Sequence, residues 1–525
     1  MSQSMQRPQS LGPVAMLRWV WTQLTSMRTA LTLLFLLALG AIPGSLIPQS
    51  NQGMRKVNTF KADHTILDRI YTPMGMYSVY TSPWFSAIYL LLFASLIGCI
   101  VPRIRVYWRA LKGRPPRLPS RLDRLPEHRV ATLVGAVDES VDAAESWLRG
   151  KHFRLERHEL PDGTVGLSAE RGYLREFGNL LFHVSMVFLL LGVAWNNLLG
   201  FKGSTVLVEG QGFSNVITQY DEYHAGAWVD TDKLTPFSIK LKKFTARFEM
   251  GPVQTGAARE FDAAVDVTEN GETTPTSIRV NHPLKLDGNN LYLLGHGYAA
   301  HVTVTDGQGN TSYSGPVVFL PQDGNFTSSG VIKAPDSRPD RLAFEGLFLP
   351  TAPEKGMMGH SLFPDAGNPE LFLNAWWGAP KVDTGRPESV YTLDKTDMNQ
   401  IMDGKDIFRM RLKPGQGIDL PDGRGTITFD GWSRWTKMQI SSAPGLPLAF
   451  GSIAAAVLGL CLSLFIRPRR LWLRTRNGAD GRPLVEVGGL DRADARTGLP
   501  EHVDALLSAA LGNTPATGPG KKEKA

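Results

Sequence analysis

The sequence predicts a membrane protein with four transmembrane helices, a large β-rich extracytoplasmic domain and a small α+β cytoplasmic insertion. Three observations lead there. Four runs of 18 to 23 residues are almost wholly apolar, close to the ~20 residues that carry a helix across a bilayer. Arg and Lys crowd the ends of those runs on one side only. The long stretch between the third and fourth runs alternates apolar with polar residues and is punctuated by Gly, Asn and Asp, the pattern of half-buried strands and tight turns.

The first run, 29–47 (TALTLLFLLALGAIPGSLI), follows Arg28. The second, 84–101, leads into Arg103 and Arg105, the third covers 177–199, and the fourth, 444–466, is followed by Arg467, Arg469 and Arg470. Basic residues ahead of the first run and Ser45 near its end resemble a secretory leader. The run is long, however, and Pro43 to Pro48 has no A-x-A-like cleavage site, so a retained anchor is expected.

Loop charges set the orientation. The segment after the second run opens with Arg103, Arg105, Arg109, Lys112, Arg114, Arg117 and Arg121, whereas 48–83 holds only Arg55, Lys56, Lys61 and Arg69. This places the tail 1–28, the unit 102–176 and the tail 467–525 in the cytoplasm. The loop 48–83 and the domain 200–443 fall on the far side of the cell membrane, in a multi-pass protein with both termini cytoplasmic. The whole chain carries 56 Lys+Arg against 49 Asp+Glu, yet 200–443 holds 23 against 29. The basic excess therefore belongs to the lipid-bilayer flanks, and with no helix-turn-helix, zinc-finger or RNA-binding signature, no nucleic-acid partner is expected.

Within 102–176, RVATLV (129–134) reads as a strand and Asp138 as the cap of a helix through VDAAESWLRG. RLERHEL and TVGLSAE flank Pro161-Asp162-Gly163, a hairpin signal. The domain 200–443 contains strand-like segments such as TVLVEG, SIKLKKFTARF, FDAAVDVTE and LYLLGHGYAAHVTVTD, with no βαβ spacing. It is expected to be sandwich-like or irregular, with the Pro- and Gly-rich stretch 330–400 as long loops and a disordered polar tail over 512–525.

The two cysteines, Cys99 and Cys461, both lie in apolar runs, which excludes a disulfide scaffold, a CxxC redox pair and a cysteine-rich zinc site. No GxSxG, HExxH, P-loop or Rossmann fingerprint occurs, and no catalytic residue is assigned. His282 and His296 are spaced as residues on adjacent strands, either metal or haem ligands or ordinary strand and turn histidines. Trp376-Trp377 reads either as a platform for a flat ligand or as aromatic residues that anchor a loop or lie at a membrane or partner interface. His183 stands apart, because it is an ionisable residue inside the third run. Asn179 lies one turn earlier on the same face and could orient the ring by a hydrogen bond, leaving the other nitrogen free. Axial ligation of haem iron, a proton relay and a helix–helix hydrogen bond all fit such a residue.

Several short motifs resemble the ResB, or CcsB, family of the system II cytochrome c maturation machinery. They are Gly44-Ser-Leu-Ile-Pro-Gln49 leaving the first run, Ser82-Pro83-Trp84-Phe85 opening the second, and Arg175-x-x-Gly178-x-x-x-x-His183 in the third. Val280-Asn-His-Pro-Leu284 with Gly288 and Tyr292, and Phe465-Ile-Arg-Pro-Arg-Arg-Leu-Trp472 after the fourth run, complete the set. Where the family often has His before the closing arginines, Arg469 directly follows Pro468 here. The resemblance implies an accessory membrane subunit, not an enzyme by itself. It would work with a ResC/CcsA-type membrane partner to move haem across the membrane and attach it to the CxxCH cysteines of apocytochrome c. It assigns His183 to the intramembrane haem ligand and the tryptophan-rich haem-handling loop to the partner. The competing expectation is a membrane-anchored extracytoplasmic sensor or scaffold that binds no haem. A kinase-like output after residue 467 would favour the sensor, and none is present.

Overall fold

A computed structural model describes residues 12–50, 53–159, 164–354, 359–380, 389–478, 481–491 and 498–513. The expected Pro161-Asp162-Gly163 turn and nearly all of the expected disordered tail lie outside the described residues. The chain divides into two compact units, residues 1–194 with 446–525, and residues 195–445.

In the first unit, α1 (Pro13–Leu24) is followed by α2 (Met27–Leu46), α3 (Met54–Asp63), α4 (Thr65–Tyr71) and α5 (Pro83–Lys112). Then come α6 (Val137–Gly150), α7 (Leu174–Leu199, whose residues from Trp195 on count with the second unit), α8 (Leu446–Phe465) and α9 (Leu499–Ala510). Four of these, α2, α5, α7 and α8, are long and apolar enough to cross a membrane. Capping explains where the first two begin. Ser26 Oγ accepts from the Thr29 N–H at 3.2 Å, and Ser82 Oγ accepts from the Phe85 N–H at 3.4 Å with Pro83 at the first helical position. The helix α5 runs eleven residues past the apolar stretch expected for it. Its extension carries Arg109 and Lys112 in the last turn, where cations complement the C-terminal carbonyls. Side chains of α5 also satisfy the last carbonyls of α1: Ser95 Oγ donates to Leu24 O at 2.6 Å and Cys99 Sγ to Thr25 O at 2.8 Å.

The Gly44–Gln49 motif now has a physical reading. A Cβ at Gly44 would lie 2.7 Å from the Tyr80 ring, so glycine lets the ring pack on α2. Gln49 is buried and donates to Ile47 O and Met76 O at 2.9 and 3.0 Å while accepting from Val79 N–H at 3.0 Å. It thereby ties the exit of α2 to the 3-10 turn Met76–Thr81, one residue ahead of Ser82.

The residues beyond α8 are not a separate tail. Strands Arg469–Asn477 and Pro483–Asp491 form the centre of a five-stranded antiparallel sheet, with Glu127–Thr132 on one side and Val165–Arg171 then Arg154–Glu159 on the other. The helices α6 and α9 cover one face through Val141, Ala144, Leu148, Val503 and Leu506, packed on Leu167, Ala169, Leu471, Leu473, Val485 and Val487. The unit expected over 102–176 thus draws half its core from 467–525. The signal was the period-2 alternation in RRLWLRT and LVEV, masked by arginines that also read as topology markers. Asp138 sits within the first turn of α6, and Ala136 occupies the cap without a side-chain bond. This differs from the cap expected of Asp138.

The second unit is antiparallel β throughout its ladders. Its larger sheet runs Asn399–Gln400, Glu370–Gly378, Arg341–Leu349, Ser328–Ala334, Thr311–Pro321, Asn289–Asp306, Gly425–Ser442, Phe201–Val208 and Glu222–Ala225. A four-stranded sheet orders Gly212–Ser214, Phe237–Phe248, Ala258–Glu269 and Glu272–Arg279. The paired 18-residue strands Asn289–Asp306 and Gly425–Ser442 pass through two cores. One core holds Tyr298, Val302, Phe344, Phe348 and Phe429, and the other Leu241, Phe244, Leu291, Met438 and Ile440. The stretch 330–400, expected as loops, contributes three strands whose Ile332, Phe344, Phe348, Leu371 and Leu373 are buried. Its Pro and Gly residues obscured that alternation.

Ending the chain at Ile466 removes the two central strands of the five-stranded sheet. Amide exchange should then lose protection across 127–171 as a block, because Val165–Arg171 and Glu127–Thr132 each lose a paired neighbour. Retained protection in 127–171 would show that this half folds without the other.

Candidate functional site

The third apolar run becomes α7, and its faces are defined by small residues and tyrosine partners. Gly178, Ser185 and Gly192 are its buried residues, spaced seven apart. On α8, Ala449, Ser452, Ala456 and Gly459 form a matching buried stripe. At the crossing the backbones touch. A Cβ at Gly178 would lie 2.7 Å from Gly459 O, and one at Gly459 would lie 2.6 Å from Phe182 N. Small residues permit the close backbone approach that packs helices where no hydrophobic gradient drives them together.

A second stripe of α7, through Asn179, His183 and Leu190, meets α5. Asn179 Nδ2 donates to Tyr107 Oη at 2.9 Å, and the Tyr89 hydroxyl donates to Leu190 O. His183 Nδ1 donates to the backbone carbonyl of Asn179 at 2.8 Å. The ring is therefore oriented by the Asn179 backbone carbonyl, while the Asn179 side-chain amide reaches across to Tyr107. With the proton on Nδ1, the neutral ring carries its lone pair on Nε2. That atom has no hydrogen-bond partner among the described residues, and His183 is only half-buried. The Phe182 ring stands edge-on to it, centroids 5.2 Å apart at 88°. Chemically, this is one nitrogen donor held in a fixed tautomer on an apolar helix, able to take a metal, a proton or a donor from another chain. Sequence reasoning missed Tyr107 and the Gly178–Gly459 contact. The spacing of small residues in the third and fourth runs was the available signal for the glycines, while nothing local marked Tyr107.

The other sequence candidates are not brought together. His282 is exposed in the turn after Glu272–Arg279, its Nδ1 3.2 Å from Val280 O. His296 lies mid-strand in a ring of phenylalanines, with centroids 4.5 Å from Phe261, 4.7 Å from Phe326 and 5.0 Å from Phe244. Its Nδ1 is buried without a partner. Burial among these rings, aided by the Arg434 charge, pushes its pKa down to about 4. Trp376 and Trp377 lie on the strand Glu370–Gly378 rather than in a loop, and their faces are taken by the chain's own cations. Lys395 Nζ stands 4.7 Å over Trp376, and the Arg424 guanidinium 3.7 Å over Trp377. Among the described residues no group of three His, Cys, Asp or Glu is placed to hold a metal ion. A groove of about 650 Å³ in the β unit is lined by Val216, Ile217, Leu234, Phe237 and several hydroxyl side chains, and gathers no set of titratable groups.

The closing motif is structural in the sheet it enters. Trp472 Nε1 donates to Pro116 O at 3.3 Å, Arg470 Nε to Glu170 at 2.9 Å, and Arg474 Nη2 to Pro119 O at 2.6 Å. Arg469 Nη1 lies 2.9 Å from His502 Nδ1.

Four apolar helices, a β-rich unit and a histidine on one of those helices fit a membrane protein with an attached β-sheet body. Comparison with known proteins gives the family: the sequence profile of the ResB-like family matches residues 27–503, and the chain belongs to that family. Its relatives include cytochrome c biogenesis protein CcsB of Synechococcus sp. (strain WH7803), 25% identical over 462 residues, covering 86% of this chain and 90% of the relative. The protein of the same name from Synechococcus sp. (strain CC9605) is 24% identical over 507 residues, covering 95% and 98%. That from Prochlorococcus marinus (strain MIT 9303) is 24% identical over 506 residues, covering 94% and 97%.

Two measurements test these packing assignments. Gly459→Leu should destabilise the chain by about 1–3 kcal/mol or more through overpacking, read as a lowered melting temperature in detergent. Gly451→Leu, on the same helix with open space around it, should leave the melting temperature unchanged. For His296, the folded pKa of about 4 lies below an unfolded value of about 6.5. Stability is then full above pH 6.5, falls as acid protonates the unfolded chain first, and levels off below pH 4. In His296→Phe the part of the acid slope due to this residue should vanish, so the two pH profiles diverge between 6.5 and 4. Parallel profiles would contradict the assignment.

Proposed function

We propose that this chain is a membrane subunit of cytochrome c biogenesis. In this reading it helps to move haem, its cargo, across the membrane and to present it for attachment to the CxxCH cysteines of apocytochrome c. The observation that carries the reading is His183: a ring on an apolar helix, fixed through Nδ1 and free at Nε2. Membership of the ResB-like family and the names of the relatives support the process.

Haem supplies an iron that accepts nitrogen ligands along its axis. Nε2 of His183 is the donor this chain offers, and a single donor from one chain suits a cargo that must be released. The carbonyl of Asn179 holds the tautomer, and Tyr107 fixes the Asn179 side chain to α5. A ResC/CcsA-type membrane partner would supply the remaining ligands. The five-stranded sheet would then be cytoplasmic, as Arg103, Arg105 and Arg109 towards the end of α5 favour, and the β unit extracytoplasmic, where the apocytochrome is met. Attachment on that side needs two thiols brought against the cargo, which is largely a matter of proximity. The chain's part is accessory, through holding and positioning, with no catalytic residue assigned.

The test is the visible spectrum of the chain purified with its membrane partner. The unmodified complex should show a haem Soret band, and His183→Ala should lose or shift it, with recovery on adding imidazole. An unchanged band in His183→Ala would remove His183 from the cargo path and leave it a packing residue.

A further inference from the structure

The β unit exposes large apolar side chains at one end, and the topology says which end. Phe201, two residues after the end of α7, pairs with Ser442, four residues ahead of α8, and with Ala225. The same end therefore holds both connections to the apolar helices and the loop that follows Ala225. That loop closes the end of α7: Gly226 N–H donates to Gly200 O and Trp228 N–H to Leu198 O, each at 2.9 Å. Trp228 is nevertheless 68% exposed, and Trp195, one turn before the end of α7, is 48% exposed. A second loop borders this one, for Val216 and Ile217 line one groove with Thr231 and Asp232. Ser214 pairs with Ser238, beside the start of the strand Phe237–Phe248, and the next apolar residues, Val216 and Ile217, are 48% and 46% exposed.

The composition of α7 locates the boundary of its apolar length. Val193 and Ala194 give way to Trp195, Asn196 and Asn197. Leu198 stands three residues past Trp195, so the carbonyl that Trp228 binds lies about 4.5 Å beyond it along the axis. Tryptophan is enriched at this depth because its ring is apolar and its N–H is a donor, a combination that suits the headgroup region. The charged residues of the loop follow Trp228 directly, with Lys233 Nζ 2.8 Å from Asp230 and Asp232 between them.

We infer that the end of the β unit bearing Trp228, Trp195, Val216 and Ile217 rests in the lipid headgroup layer, with Trp228 as its anchor. The bilayer is the occupant because Trp195 and Leu198, the latter bound by the Trp228 N–H, belong to α7, a helix apolar enough to span it. The proposal is independent of whether the chain handles haem.

The test uses the full chain in phosphatidylcholine nanodiscs. A fluorophore is attached through Trp228→Cys in a background of Cys99→Ala and Cys461→Ala, with a control label through Gln308→Cys in the turn at the far end of Asn289–Asp306. Lipids carrying a nitroxide on the headgroup should quench the 228 label several-fold more than the 308 label, and aqueous iodide should do the reverse. Equal iodide quenching at both positions would overturn the proposal. So would shielding of the 228 label from both quenchers, since that would mean a protein contact covers it. Should the labelled variant fail to fold, brominated lipid can be applied to the otherwise unmodified chain. The tryptophan emission lost to bromine should then be smaller in Trp228→Phe, and an equal loss would count against the anchor.

Discussion

The contact on which most of this architecture depends is the crossing of α7 and α8 at Gly178 and Gly459, where neither helix has room for a side chain. The two helices are also paired at their ends by strands. Arg171 and Arg469, shortly before α7 and shortly after α8, are partners in one ladder. Phe201 and Ser442, shortly after α7 and shortly before α8, are partners in another. A helix pair whose flanking strands are fixed in a ladder has little freedom to slide, so its middle must fit without adjustment. That requirement explains stripes of Gly, Ala and Ser on both helices. It also explains why bulkier α7 residues, His183 among them, fall on other faces.

Much of this was legible in the sequence, and the errors have physical causes. The four apolar runs could be read because a helix in lipid must satisfy its own backbone and expose apolar side chains over a fixed length. The strands of the β unit could be read where alternation was clean, as in SIKLKKFTARF. They were missed over 330–400, where short connections rich in Pro and Gly interrupt strands buried on both sides, such as Arg341–Leu349, and the alternation dissolves into a continuous apolar run. His183 was visible as a candidate because an ionisable group among apolar residues is costly. Spacing along a helix pointed to Asn179 as its partner but cannot say which atom of Asn179 makes the bond. Tyr107 settles that, and Tyr107 is 72 residues away in the chain.

The arginines after α8 show how one residue can carry two signals. Clustered at the end of an apolar run, they read as orientation markers. In the structure Arg470 and Arg474 bind Glu170 and the carbonyls of Pro119 and Ser120, and so join segments some 300 residues apart in sequence. A positive charge near a membrane costs nothing extra when it also completes a sheet, so selection for topology and selection for folding need not compete here. The family resemblance of this motif then has a structural basis in the sheet that needs no ligand role for Arg469.

The histidines separate by the fate of their second nitrogen. His296 has an orphaned Nδ1, but phenyl rings enclose it, and bringing any ligand to it would require opening a packed core. His282 is exposed, so water satisfies it at no cost. Of these three, only His183 combines a fixed tautomer, a nitrogen without a partner among the described residues and a half-buried position on an apolar helix. An unpaired donor atom costs more there than in water, and the helix could have carried Leu or Phe at this position without that cost. A group that is expensive alone and stabilised by an incoming partner is suited to bind that partner, and this physical asymmetry, more than the motif around it, singles out His183.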